Sequence, residues 1–180
     1  MKIGSDTPLW LAARALLAMR QKEFFRRWQQ VQEGFELEPI HDMRIASRRL
    51  REGLALFAPC YPAKAISRIT RRVKGVTRLL GDMRNTDEAL LYFTSRAGRF
   101  DAPTAAALAT RVAGLRKVRD QEEQRLRSAL GSLSVKVLRY YFQKTLNTPL
   151  LFSAPSGSAD PFGTIGTYAR ETIGERLALV

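Results

Sequence analysis

The chain has 180 residues, which is enough for a domain with its own hydrophobic core. Hydrophobic residues make up 45% and charged residues 26%, and this balance excludes a largely disordered polypeptide. Lysine and arginine number 30 against 17 acidic residues, and the net charge of +13 favours a polyanionic partner such as nucleic acid, an anionic membrane or a phosphate polymer.

Features that would direct the chain to a membrane or an oxidising compartment are not visible in the sequence. Arg14 and Arg20 interrupt the first apolar stretch, and no uncharged apolar run approaches the ~20 residues of a membrane span. The single cysteine, Cys60, has no partner for an intrachain disulfide and is interpreted as an incidental small residue. The sequence therefore predicts a cytoplasmic protein without a membrane span.

Helical periodicity and helix-ending residues divide the chain into a series of helices. Thr7 and Pro8 predict the N-cap and the first residue of a helix that Gly34 ends. The third helix is expected to kink or break at Gly81 and Asn85. The further predicted helices are 39–58, 63–80, 87–96, 103–131, 135–146 and 161 to the end.

The segment from 147 to 160 is rich in proline, serine and glycine and is predicted to be a loop. It is the only candidate linker, so residues 1–180 are expected to form one domain. No stretch shows the period-two alternation of a strand between turns. These patterns predict an all-α protein built as an antiparallel helical bundle.

Positive charge is concentrated between His41 and Arg84. This segment holds eleven lysine or arginine residues and three acidic residues, so +8 of the total charge of +13 lies in a quarter of the chain. At about 100° per residue, the second helix has basic and apolar residues on opposite faces, and the third helix repeats this arrangement. The basic faces consist of His41, Arg44, Arg48 and Arg51 on the second helix and of Lys64, Arg68, Arg71, Lys74 and Arg78 on the third.

This arrangement predicts that two antiparallel helices pack through their apolar faces, with their basic faces side by side. Like charges four residues apart, as at Arg44 and Arg48, destabilise a helix by a few tenths of a kcal/mol per pair. Arginine is the side chain that pairs bidentately with phosphate oxygens. The faces therefore favour anion binding over a merely solvated surface. His41 is expected in the first turn of its helix. An anion bound there would also meet free backbone N–H groups and the positive end of the helix dipole.

Two motifs in this segment resemble those of a known family. The run HDMRIASRRLR from His41 to Arg51 resembles the signature of CHAD domains, the "conserved histidine α-helical domain" family. The run VTRLLGDMRNTD from Val76 to Asp87 resembles the family's second motif, a Leu-Gly-x-x-Arg-Asp-x-Asp pattern. Order, separation and helical context agree, and the resemblance extends loosely over the whole chain, which is similar to the N-terminal half of the family.

The resemblance implies two pseudo-symmetric helical bundles, of which this chain would be one, with a basic groove between them. It implies binding of inorganic polyphosphate and association with polyphosphate or polyester storage granules. The binding residues carried over by motif are His41, Arg44, Arg48, Arg51, Arg78 and Arg84. The helical-face pattern adds Lys64, Arg68, Arg71 and Lys74 to the predicted polyphosphate-binding set.

Two departures from the family pattern affect these expectations. Asn85 stands where the family usually has aspartate, so an arginine–aspartate brace there would be weakened or moved to Asp82 or Asp87. A second copy of the His-x-x-Arg-x-x-x-Arg pattern is absent, and the sequence ends on the apolar run Ala-Leu-Val. We therefore expect half of a binding site, either in a homodimer that completes the site or in a truncated fragment with weakened binding.

Two other functions compete with polyphosphate binding. A nucleic-acid-binding helical module would also use basic helices, but the aromatic residues fall in apolar stripes or away from the basic faces. An enzyme acting on phosphate chains would need acidic metal ligands or a positioned nucleophile, and the sequence shows no such cluster. The prediction is a binding protein without catalytic residues, metal or cofactor.

Overall fold

A computed structural model describes residues 2–148 and 160–177, and these ranges contain six α-helices and no named strand. The all-α prediction is therefore confirmed. The helices are α1 (Leu9–Glu33), α2 (Leu37–Leu56), α3 (Ala63–Thr94), α4 (Ala102–Ser132), α5 (Val135–Leu146) and α6 (Ile165–Leu177).

Of the kink or break predicted in the third helix, the break is wrong, because α3 runs without interruption from Ala63 to Thr94. Gly81 costs about 1 kcal/mol relative to alanine in a helix interior. Leu80 and Met83 on either side of it are fully buried, and their packing compensates for this cost. Tertiary burial thus overrides the local preference for a break.

Two predicted helix ends are also wrong in detail. Pro8, not Thr7, occupies the N-cap position of α1, and the Thr7 hydroxyl instead accepts a hydrogen bond from the Gly4 amide at 3.0 Å. α6 begins at Ile165 rather than at Pro161, because residues 160–164 bend back against the start of the chain. The predicted loop at 147–160 lies mostly outside the described residues.

The hydrophobic core lies where α1, α2 and α3 face one another. The predicted apolar face of α2 is buried at Met43, Leu50 and Leu54, and that of α3 at Ile69 and Val73. Fully burying one such side chain contributes about 1.5–3 kcal/mol. Because the apolar residues recur every three or four positions, their burial turns the polar and basic face of each helix outward.

Consecutive helices from α1 to α4 pack against one another, and α5 fills the space between α1 and α3. Gly53 of α2 allows a close approach to α1, because a Cβ atom there would lie 3.1 Å from Leu17 Cδ2. A similar approach holds α6 to the N-terminus. The Gly166 amide donates to the Ser5 carbonyl at 2.9 Å, and a Cβ atom at Gly166 would lie 3.0 Å from that oxygen.

Candidate anion-binding site

Arginines from α1 and α2 surround an open groove that runs between the two helices, which we call the α1/α2 groove. The larger of its two adjoining cavities has a volume of about 610 Å³, and the smaller has about 140 Å³. The predicted residues Arg44 and Arg48 line the larger cavity together with Arg20 and Arg49. Leu16, Leu17, Leu56 and Phe57 give this cavity an apolar floor.

The smaller cavity is lined by three arginines and two carboxylates, so its charge is nearly balanced. Glu23 accepts hydrogen bonds from Arg26 and Arg27, which lower the pKa of its carboxyl group to about 2. Arg27 also pairs with Asp42 and so connects α1 to α2. At this end of the groove, the arginines hold the helices together.

The larger cavity is not charge-balanced. Within the described residues, Arg20, Arg44, Arg48 and Arg49 form no ion pair with a carboxylate, although Glu52 also lines this cavity. Arg48 and Arg49 are exposed, while Arg44 is half-buried. Four guanidinium groups are thus available to an anion that enters the groove.

His41 is half-buried and lies deeper in its helix than predicted. α2 begins at Leu37, so His41 is in the second turn, and the free amides of the first turn precede it. The first turn also carries the acidic residue Glu38. The prediction that backbone N–H groups and the helix dipole assist His41 is therefore wrong. The Nδ1 atom of His41 is buried and has no hydrogen-bond partner among the described residues.

Two predicted arginines have partners in the protein itself. Arg51 donates a hydrogen bond to Glu52 at 2.8 Å. Arg84 Nε lies 3.0 Å from Glu88 Oε1, at an angle that leaves this N–H without a hydrogen bond. Arg84 is the more enclosed of the two, with a side chain 17% exposed against 34% for Arg51. Both arginines therefore have part of their charge neutralised before any ligand arrives.

The five predicted residues of α3 occupy two different settings. Arg71, Lys74 and Arg78 are exposed, whereas Lys64 and Arg68 line a cavity of about 310 Å³ between α3 and α5. We call this cavity the α3/α5 groove. Arg44 and Arg48 line a cavity with residues of α1, and Lys64 and Arg68 line another with residues of α5, so the ten predicted residues do not share one cavity.

The second sequence motif contributes to packing between α3 and α4. Asp87 is 7% exposed, and its Oδ1 accepts a hydrogen bond from Arg119 Nε at 3.3 Å. Arg119 also pairs with Glu123 and donates to the Phe35 carbonyl in the α1–α2 turn at 2.6 Å. The arginine–aspartate brace expected at Asp82 or Asp87 is found at Asp87, and its partner comes from α4.

Several residues at these sites were missed by sequence reasoning. Arg20 and Arg49 lie outside the basic stripes and join the α1/α2 groove only because α1 packs beside α2. Tyr141 and Lys144 of α5 meet the α3 stripe although about 70 residues separate the segments in sequence. The positive charge of each basic residue was visible, but its neighbours depend on how the helices pack.

No helix in residues 2–148 and 160–177 is long and apolar enough to cross a membrane. No group of three or more histidine, cysteine, aspartate or glutamate side chains in those ranges could hold a metal ion.

Comparison with known proteins identifies the family. The CHAD domain model matches residues 15–179. Among solved structures, PptA from Streptomyces chartreusis is similar with a TM-score of 0.70 and 17% identity, over 97% of this chain and 61% of that one. The CHAD domain from the plant Ricinus communis is similar with a TM-score of 0.55 and 22% identity, over 97% of this chain and 55% of that one.

The chain thus spans less than two-thirds of either solved structure. Comparison with curated protein sequences gives no match. Because the family model covers most of the sequence, and the fold and both motifs agree with it, the chain belongs to the CHAD domain family.

Proposed function

We propose that this chain binds inorganic polyphosphate, with the α1/α2 groove as its principal contact surface. The observation that carries the proposal is the set of four arginines around one open cavity, none of which pairs with a carboxylate of the described residues. A linear phosphate chain offers closely spaced anionic oxygens that guanidinium groups bind in bidentate fashion. A bound chain would also relieve the repulsion between Arg44 and Arg48, which are four residues apart.

The exposed basic residues of α3 offer further contacts to a long polymer, although none of them lines the α1/α2 groove. Arg71, Lys74 and Arg78 have no ion-pair partner in the described part of the chain, so a long polymer can contact them after it leaves the groove. Many contacts along one flexible chain raise its affinity relative to a short anion. We therefore expect long polyphosphate to bind much more tightly than ATP, with a strong dependence on salt.

Nucleic acid is the competing ligand, because a basic groove can also follow its backbone. Binding of single strands usually adds aromatic side chains on which bases stack. In the α1/α2 groove the aromatic residue is Phe57, which is 3% exposed and packs against Tyr168 at 6.4 Å between ring centroids. This packing supports polyphosphate over single-stranded nucleic acid.

We also propose that the chain binds its polymer without cleaving it, in the cytoplasm and at polyphosphate or storage granules. Incubation with polyphosphate and Mg²⁺ should release no orthophosphate above a blank. A homodimer would join two grooves, and light scattering after size-exclusion chromatography tests for it.

The central experiment is a binding competition at about 150 mM salt among long polyphosphate, tripolyphosphate, ATP and DNA. The double variant Arg44→Gln/Arg48→Gln should lose most of its affinity for long polyphosphate. The double variant Arg116→Gln/Lys117→Gln removes the same charge from exposed positions of α4 and serves as the matched control. Equal losses of affinity in both variants would show that binding depends on net charge alone. A stronger affinity for DNA than for polyphosphate would favour the competing function.

A further inference from the structure

Lys64, Arg68 and Lys144 line the α3/α5 groove, and no carboxylate joins them. Its volume of about 310 Å³ is at the lower end of the range for small-molecule sites. Two helices contribute to this cluster, since Lys64 and Arg68 belong to α3 and Lys144 to α5. The three cations are exposed, while Thr145 at the base is 5% exposed.

Tyr141 holds a second arginine beside this cluster. The guanidinium carbons of Arg68 and Arg72 lie 5.3 Å and 5.4 Å from the centroid of its ring. Cation–π attraction of about 0.5–1 kcal/mol at exposed sites offsets part of the repulsion between two arginines four residues apart. Tyr141 packs against the hydrophobic core, so the ring that orders the two guanidinium groups is itself held in place.

A purely structural explanation covers only part of this arrangement. Lys144 is in the last turn of α5, where a cation is favoured by the helix dipole. This does not explain Lys64 and Arg68, for which the described residues provide no ion-pair partner. The convergence of cations from two helices on one cavity is therefore better explained by an anionic ligand.

We infer that the α3/α5 groove is a second phosphate-binding site, which takes a short run of linked phosphate groups independently of the α1/α2 groove. The size of the cavity limits it to a di- or triphosphate unit, which a free oligophosphate, the end of a longer polymer or a nucleotide can supply. Because the ring of Tyr141 is occupied by guanidinium groups, we expect recognition of the phosphates rather than of a base. Tripolyphosphate should therefore bind at least as tightly as ATP.

The two grooves differ in a way that makes a direct test possible. The α1/α2 groove is lined by arginines and no lysine, whereas the α3/α5 groove contains Lys64 and Lys144. Acetylation of the native protein, read by mass spectrometry, should show about tenfold protection of Lys64 and Lys144 by tripolyphosphate. Lys117, which is exposed on α4, should be unprotected and is the internal control.

Calorimetry with tripolyphosphate provides the second measurement. Wild-type protein should bind two molecules per chain, and Arg68→Gln/Lys144→Gln should bind one, with an unchanged melting temperature. Unprotected lysines together with an unchanged stoichiometry in this variant would overturn the inference. If Arg44→Gln/Arg48→Gln leaves binding intact while Arg68→Gln/Lys144→Gln abolishes it, the proposed function of the α1/α2 groove fails and the second site stands.

Discussion

The two family motifs lie on adjacent helices, but Arg44 and Arg48 of the first motif have a different electrostatic environment from Arg84 and Asp87 of the second. In the first motif, Arg44 and Arg48 face an open cavity without a carboxylate partner in the described residues. In the second motif, Arg84 lies beside Glu88, and Asp87 is paired with Arg119. Similar residues thus lack carboxylate partners in one place, where we propose that they bind a ligand, and take part in packing in the other.

The cause of this difference is the neighbouring helix. α4 packs against α3 and brings Arg119 to Asp87, so the charges at the end of the second motif are neutralised within the protein. Arg44 and Arg48 form no ion pair with a carboxylate of the described residues, although Glu52 of α2 lines the same cavity. The family motif therefore identifies important residues, but their environment decides whether they bind a ligand or stabilise the fold.

The largest expected effect concerns the buried brace. Arg119→Gln should lower the free energy of unfolding by about 2–3 kcal/mol, because it leaves the carboxylate of Asp87 buried without a cation. It also removes the hydrogen bond to the Phe35 carbonyl. Urea unfolding measures the change, and Arg116→Gln, an exposed position on the same helix, should stay within about 0.5 kcal/mol of wild type. Equal free energies of unfolding for Arg119→Gln and wild type would contradict the structural role of the second motif.

The next effect concerns the α1/α2 groove. Arg48→Glu should weaken binding of long polyphosphate by about tenfold to a hundredfold, since a charge-assisted hydrogen bond contributes ~1.5–3 kcal/mol. The melting temperature should hold or rise slightly, because the introduced carboxylate would attract Arg44 instead of repelling it. Arg84→Gln should change affinity less than Arg48→Glu, because Glu88 already lies beside Arg84. A larger loss of affinity in Arg84→Gln than in Arg48→Glu would contradict the proposal that Arg48 contacts the ligand more strongly than Arg84.

The effect expected at His41 is smaller than that at Arg48. His41 is half-buried, and its Nδ1 has no partner in the described ranges. His41→Ala should weaken polyphosphate binding about two- to fivefold, because an imidazole N–H can donate a hydrogen bond to a phosphate oxygen. Titration of wild type and variant with long polyphosphate measures the difference. An unchanged affinity would assign His41 a packing role.

The last prediction concerns the reactivity of Cys60, which lies in the turn between α2 and α3. Burial raises the pKa of its thiol to about 11, and the side chain is 1% exposed. Little thiolate is present at pH 8, so a disulfide reagent should modify the native protein at least ~100-fold more slowly than the urea-unfolded protein. If Cys60 is modified equally slowly in Arg48→Glu, the packing of α2 against α3 is intact in this variant, and its loss of affinity does not come from a change in that packing.

The sequence by itself determined the fold class, the core faces and the presence of a basic cluster. Apolar residues recurring at helical spacing, such as Met43, Leu50 and Val73, predict which face is buried, and the structure confirms them. The family followed from two short motifs within one quarter of the chain. Each of these is local information, carried by residues on one or two consecutive helices.

Only the tertiary structure decided which charges share a site. Arg20 enters the α1/α2 groove because α1 packs beside α2, and Lys144 meets Lys64 because α5 fills the space beside α3. Continuity of α3 through Gly81 was likewise decided by burial of the flanking residues. The physical reason is that helical periodicity describes the face of one helix, whereas a binding site and its neutralising partners come from side chains that packing brings together from distant parts of the chain.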